Sequence, residues 1–265
     1  MNIFAVDTCL DPGSLALSRQ DASSSGGGRA ISEPELVALP PGWRSVALHE
    51  EIRQLLARHG LTTANLDLFA VTAGPGAFTG VRLGLTAVKG LAEVHDRPII
   101  PVSTLEALAF SALGGIALDP ALSPARHSPL VTRHCLLAPI LDARRGQIFG
   151  AVYTTEERSA GGAGFHPLIP DSVCSLRSFL KQIQDSGIGI GPQHLRFCVT
   201  DEAPFLSAIE ELGWTAGSLI RVSPQLAGAV ARMAVTRFRQ GKGIGALAAD
   251  ANYVRASDAE LFWKE

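Results

Sequence analysis

The sequence has no excess charge of either sign: 23 Lys and Arg stand against 25 Asp and Glu in 265 residues. A chain-wide positive field that would condense on a phosphate backbone is therefore excluded, and any contact with nucleic acid has to be local or made by another chain. The four cysteines (Cys9, Cys135, Cys174, Cys198) are scattered, with no C-x-x-C spacing. They read as buried thiols of a reducing compartment, two of them inside apolar runs (HCLLAPIL, LRFCVT). No apolar stretch approaches the roughly 18 residues needed to cross a bilayer, and Asp7 interrupts the apolar Met1 to Val6 far short of a secretion signal. The expectation is a cytosolic protein with no membrane contact.

Catalytic signatures are also missing. Seven histidines are present, but no H-E-x-x-H or H-x-x-x-H pair places two imidazoles on one helix face, so no metal site is expected. His49-Glu50-Glu51 opens like a zinc-protease motif, but Arg53 stands where the second histidine belongs, and the segment reads as a solvated helix face. There is no G-x-S-x-G turn to present a nucleophilic serine, and the glycine-rich Gly74 to Gly80 lacks the lysine of a phosphate-binding Walker loop.

What is present is alternation of strands and helices, which argues for an α/β chain long enough to bury one large core or two smaller ones. NIFAVD is an aliphatic strand ending in Asp7, and a turn through Pro12-Gly13 leads to a second strand from Ser14. Residues 21 to 30 (DASSSGGGRA) are low in complexity and read as a surface loop. Helices are predicted over Ser45 to His59, with Leu48, Ile52 and Leu55 at helical spacing, and over Val81 to His95, with Val81, Leu85 and Val88 on one face and small residues at Gly80, Gly84 and Ala87. Ser103 and Glu106 form a capping box that opens a third helix, LEALAFSAL. After a Gly/Pro/Ser-containing break from Gly114 to Pro129, the opening pattern restarts. His134 to Leu141 is a strand, Asp142-Ala143-Arg144-Arg145-Gly146 a turn, and Gln147 to Thr154 a second strand. Further on, Ser223-Pro224 reads as the N-cap and first residue of a long helix ending at Gly241.

Three groups of residues carry chemistry on two readings each. The G-P-G-A-F-T-G loop can receive a phosphate or a partner at the helix N-terminus that follows, or it can be a tight strand-to-helix connection with Phe78 plugging the core. Asp7 and Asp142 can hold a hydrated cation near a nucleotide, or each can cap its own turn. Arg144 and Arg145 can grip a phosphate or a partner carboxylate, or remain solvated. The helices at 45 to 59 and 81 to 95 mark an interaction site if part of their apolar surface is left uncovered.

The segments IFAVDTC, VTAGPGAFTGVRLGLTAVKGLA, PVSTLEALA and LDARRGQIFGAVY, in that order and spacing, closely resemble the TsaB (YeaZ-like) family of the TsaD/glycoprotease superfamily over most of residues 1 to 155. Beyond that, only the layout and the ending Tyr253-Val254-Arg255 look alike. The resemblance implies a duplicated actin-like, ribonuclease-H-like fold. It divides the chain into a lobe over 1 to 111 completed by a helix at 223 to 241, a second lobe over 112 to 222, and a tail from 242 to 265. It further implies a non-catalytic subunit of the machinery that puts threonylcarbamoyl on a tRNA adenosine. The implied partners are a TsaD-type transferase, a TsaE-type ATPase and tRNA through the complex, with a homodimer as the state of the chain alone. ATP, magnesium and metal belong to those partners, and this chain holds no cofactor. The family's interface helices correspond to the two named above, which puts Leu48, Ile52, Leu55, Val81, Leu85 and Val88 against the transferase. Nucleotide, phosphate or partner contacts would fall to Asp7, Gly74, Gly76, Thr79, Gly80, Arg82, Asp142, Arg144 and Arg145. The rival reading is an actin-like ATPase or sugar kinase that uses Asp7, Asp142 and the glycine loop around Mg-ATP. A metalloprotease would need ligands the sequence does not supply: the helix after Ser103 has no histidine pair.

Overall fold

A computed structural model describes residues 1–20, 33–40, 42, 45–118, 136–158, 162–186, 195–213 and 218–255. The loop expected at 21 to 30, the segment 119 to 130 and Cys135 lie outside the described residues. The chain divides into two units, Met1–Ala107 with Pro224–Asn252 and Leu108–Ser223 with the residues from Tyr253 on. Residues 242 to 252, expected as part of a tail, belong to unit 1: Ile244 forms an antiparallel bridge with Ile99, and Ala246 and Ala249 are buried.

In unit 1, strands Asn2–Asp7 (β1), Ser14–Arg19 (β2), Glu35–Ala38 (β3), Leu68–Thr72 (β4) and Ile99–Val102 (β5) form one sheet in the order β3-β2-β1-β4-β5. β1 is central, and its run of apolar residues is buried on both faces, as a strand with parallel and antiparallel neighbours and helices on either side requires. Phe4 and Phe69, paired in register, meet edge to face with centroids 6.5 Å apart. Helices Ser45–Arg58 (α1) and Phe78–His95 (α2) place Leu48, Ile52, Leu55, Leu85, Val88 and Ala92 in a core with Phe4, Val6, Phe69 and Val71. The periodicity predicts α2 from Val81; the helix starts three residues earlier, at Phe78. Ile3 and Ala5, which alternate with the core residues of β1, are also buried, and helix Ala227–Arg239 (α6) packs on β1, β2, β4 and β5.

Between β5 and unit 2 runs helix Thr104–Leu118 (α3), longer than the predicted LEALAFSAL; Ser103 Oγ accepts from the Glu106 amide at 3.3 Å. Unit 2 repeats the topology. Strands Leu136–Arg144 (β6), Gln147–Arg158 (β7), Gly162–Cys174 (β8), Leu195–Val199 (β9) and Leu219–Arg221 (β10) form a sheet in the order β10-β9-β6-β7-β8. In both units an antiparallel meander of three strands is extended by two parallel ones, and β6 stands where β1 does. Helices Leu176–Asp185 (α4) and Leu206–Glu211 (α5) bury Phe179, Leu180, Ile183 and Ile209 against it.

α6 begins at Ala227, not at Ser223-Pro224 as the N-cap signal predicts. Its cap comes from across the fold: Ser14 Oγ accepts from the Ala227 amide at 3.1 Å, and Asp7 Oδ2 from the Leu226 amide at 3.4 Å. A tertiary cap makes a local one redundant, which is why the sequence signal misplaces the start.

Candidate functional site

Asp7, at the end of β1, is fully buried. Its carboxylate accepts from Thr72 Oγ1 (2.7 Å) and the Cys9 amide (3.1 Å) on one oxygen and from the Leu226 amide on the other. Burial pushes its pKa up to about 6, against the pull of those three donors. The group thus ties β1, β4 and the start of α6 together from inside, and the open cation ligand read from the sequence is not what the structure places there. The neighbouring Cys9 thiol donates to the Thr72 carbonyl at 3.5 Å, and burial, together with the Asp7 charge, pushes its pKa up to about 12. It is a packing group with no nucleophilic character at neutral pH.

The Gly74 to Gly80 loop closes on this turn. Thr8 Oγ1 donates to the Gly80 carbonyl at 2.7 Å, and the Ala77 amide donates to the Cys9 carbonyl at 3.1 Å. A Cβ at Gly80 would stand 2.0 Å from the Thr8 carbonyl oxygen, and one at Gly84 2.2 Å from Thr8 Oγ1. The Thr104 amide donates to the Gly74 carbonyl and the Asn252 amide to the Ala73 carbonyl, so α3 and the C-terminal strap close the loop from two further sides. Gly74 holds φ at +103°, which a side chain rarely allows. Of the two sequence readings, the tight connection is the one realised, with one correction: Phe78 does not plug the core. It is 45% exposed, and the Arg82 guanidinium stacks 3.8 Å from its ring centroid. Thr79 is exposed beside it.

The six residues expected to face a partner, Leu48, Ile52, Leu55, Val81, Leu85 and Val88, are all buried in unit 1. The physical reason is packing within the unit: Leu48, Ile52, Leu55, Leu85 and Val88 share one core cluster with the strands, and Val81 is buried beside Gly74. The small residues Gly80, Gly84 and Ala87 likewise serve the molecule's own packing, the two glycines against Thr8. An acidic residue at Leu85 would therefore disrupt the fold before any interface.

The surface these helices do present is different. α1 turns His49, Glu50, Arg53, Gln54 and Arg58 outward, with Glu50 and Arg53 paired. α2 exposes Phe78, Thr79, Arg82, Thr86, Gly90 and Val94, the last 77% exposed, with Leu83 half-buried among them. The spacing 79, 83, 86, 90, 94 is a second helical stripe, and it could have been found in the sequence.

Asp142, Arg144 and Arg145 belong to unit 2, at the β6–β7 hairpin. Arg144 pairs with Gln147, so the two-residue turn is Arg145-Gly146, with φ +57° and +71°, and a bulge precedes it at Ala143. Arg144 is also left-handed, with φ +65°. Each non-glycine residue held there costs on the order of 1 kcal/mol. Asp142 caps its own turn, accepting from the Arg144 amide at 2.7 Å, and lies 3.5 Å from the Arg144 guanidinium. Arg255 Nη1 donates to the Ala143 carbonyl at 3.0 Å, bringing a third guanidinium to the base of the hairpin. The sequence gives no sign of that last contact across 112 positions.

Among the described residues no group of three His, Cys, Asp or Glu side chains could hold a metal ion, and no helix is long and apolar enough to cross a membrane.

The model of the TsaD family, tRNA N6-adenosine threonylcarbamoyltransferase, matches residues 44–190. The tRNA threonylcarbamoyladenosine biosynthesis protein TsaB of Bacillus subtilis is 28% identical over 187 residues, 70% of this chain and 67% of that protein. The TsaB protein of Haemophilus influenzae is 33% identical over 144 residues, so the match spans 53% of this chain and about half (54%) of that relative. Among solved structures, an uncharacterized Pseudomonas aeruginosa protein with similarity to peptidase YEAZ aligns with a TM-score of 0.67 at 21% identity, over 96% of this chain and 99% of that one. YeaZ from Pseudomonas aeruginosa aligns at 0.62 and 22% identity, over 95% and 100%. These likenesses show the fold, a duplicated α/β arrangement of the ribonuclease-H-like, actin-like type. With more than half of its length matched by the family model, the chain belongs to the TsaD family, in the TsaB/YeaZ branch.

Proposed function

We propose that this chain is a non-catalytic subunit in the biosynthesis of tRNA threonylcarbamoyladenosine, and that it acts by binding a transferase of the TsaD type. The names of its relatives support the pathway. The observation that carries the non-catalytic reading over an ATPase is the filled glycine loop: the Thr8 and Cys9 carbonyls occupy the approach to Gly80 and Gly76 that a phosphate would need. Asp7 is turned inward to three protein donors at the same place. ATP, magnesium and metal, in this reading, reside on partner subunits.

The docking surface in this proposal is the outer face of α2, from Phe78 through Leu83, Thr86 and Gly90 to Val94, and not the six core residues. Val94 is 77% exposed and Phe78, with Arg82 stacked on its ring, 45% exposed, and a Cβ at Gly90 meets nothing within 4 Å. Gly90→Arg should therefore fold with an unchanged or higher melting temperature, yet fail to co-purify with a co-expressed TsaD-type transferase and fail to restore threonylcarbamoyladenosine in a strain lacking the chain. The nucleoside is read by mass spectrometry of digested tRNA. A normal level of it in the deletion strain refutes the pathway; intact co-purification of the variant refutes the docking face.

A further inference from the structure

We infer that the Asp142–Gly146 hairpin, with Arg255 at its base, is a phosphate-binding finger through which this chain itself contacts tRNA. The inference rests on the reading above that the chain works on tRNA, and adds a direct contact to it.

Three observations converge on the hairpin. The first is conformational. A two-residue turn with positive φ at both central positions favours Asn-Gly, and a left-handed residue just ahead of it favours glycine. Here arginines occupy both left-handed sites, Arg144 and Arg145, ahead of Gly146. Residues that ease the turn would give the same backbone, so what the arginines add is their side chains. The second is charge. Three guanidinium groups, those of Arg144, Arg145 and Arg255, gather at one hairpin beside the Asp142 carboxylate, in a chain whose net charge is −2. The third is exposure. Arg144, 86% exposed in its side chain, Arg145 and Gly146 project from the sheet, and Gln147 is half-buried.

The chemistry favours RNA over an acidic protein. A guanidinium presents a rigid fork of donors that fits phosphate oxygens in pairs and sheds its hydration readily. A protein interface needs an apolar centre that a water-excluding rim surrounds, and the exposed tip Arg144-Arg145-Gly146 has none. A narrow cationic hairpin is suited to the sugar-phosphate backbone, which requires local charge and no apolar cover.

The test is binding of a fluorescently labelled, unmodified tRNA transcript to the purified full chain, alone and together with the co-expressed transferase, from 50 to 200 mM KCl. The variant is Arg144→Asn with Arg145→Asn, because asparagine tolerates the left-handed region. Its melting temperature should be unchanged or raised, while affinity drops and the slope of log affinity against log salt falls by about two. Arg144→Lys with Arg145→Lys should keep the slope. An Asn variant with wild-type affinity and slope overturns the inference, as does a wild-type chain that adds nothing to tRNA binding in either setting. Loss of the transferase from the Asn variant with tRNA binding intact would assign the hairpin to a protein partner and also overturn it. Any of these results beside normal threonylcarbamoyladenosine formation leaves the functional proposal standing, whereas its absence of effect in the deletion strain removes that proposal first.

Discussion

Asp7 shows how one buried group shapes the pH response of the whole chain. In the folded protein it holds its proton up to about pH 6, whereas its ordinary value is 3.8. The folded state therefore binds more protons between those values, so stability falls as pH rises through the window and levels off above it. Relative to Asp7→Asn, which does not titrate, the wild type should lose up to about 3 kcal/mol between pH 4 and pH 6. Urea unfolding at a series of pH values reads this, and a flat difference would mean that Asp7 titrates normally. Two glycines of α2 make an opposed pair at the same scale. A Cβ at Gly80 runs into the Thr8 backbone, so Gly80→Ala should destabilise by about 3 kcal/mol or prevent folding. Gly90→Ala adds its methyl to open space inside a helix and should stabilise by roughly 0.5–1 kcal/mol. Equal melting shifts for the two would mean that the Thr8 turn yields freely.

Among the elements, what the sequence disclosed follows from how each is held. α1 and α2 carry regular apolar spacing and are legible. β8 is not, because Pro167 and Pro170 interrupt its run and read as breakers. As the last strand of its sheet it has a single neighbour, and an edge strand tolerates residues that lack an amide. α6 is legible as a helix but not at its start, since its cap lies more than 200 positions away in Ser14. Ser14→Ala leaves the Ala227 amide buried without an acceptor and should cost about 1 kcal/mol, measured by chemical unfolding. No loss would mean that the Leu226 and Asp7 contact is cap enough.

For the molecule as a whole, the duplication was visible in two strand-Asp-turn-strand passages, and the two sheets share one order of connection. The roles of the two aspartates were not visible. One has become an internal acceptor and the other an exposed turn cap, a difference set by what packs over each strand end. Nor could periodicity say what covers an apolar stripe: a helix face buried by its own unit and one buried by another chain look alike in sequence, and here unit 1 itself buries all six residues assigned to a partner. Unit 1 also draws on both halves of the chain, since α6 closes over strands made long before it. During translation, the roughly 120 residues between Ala107 and Ala227 take about 6 to 24 s to emerge at ordinary elongation speeds. Throughout that interval the nascent sheet lies open on one side, a natural point for a chaperone to hold it.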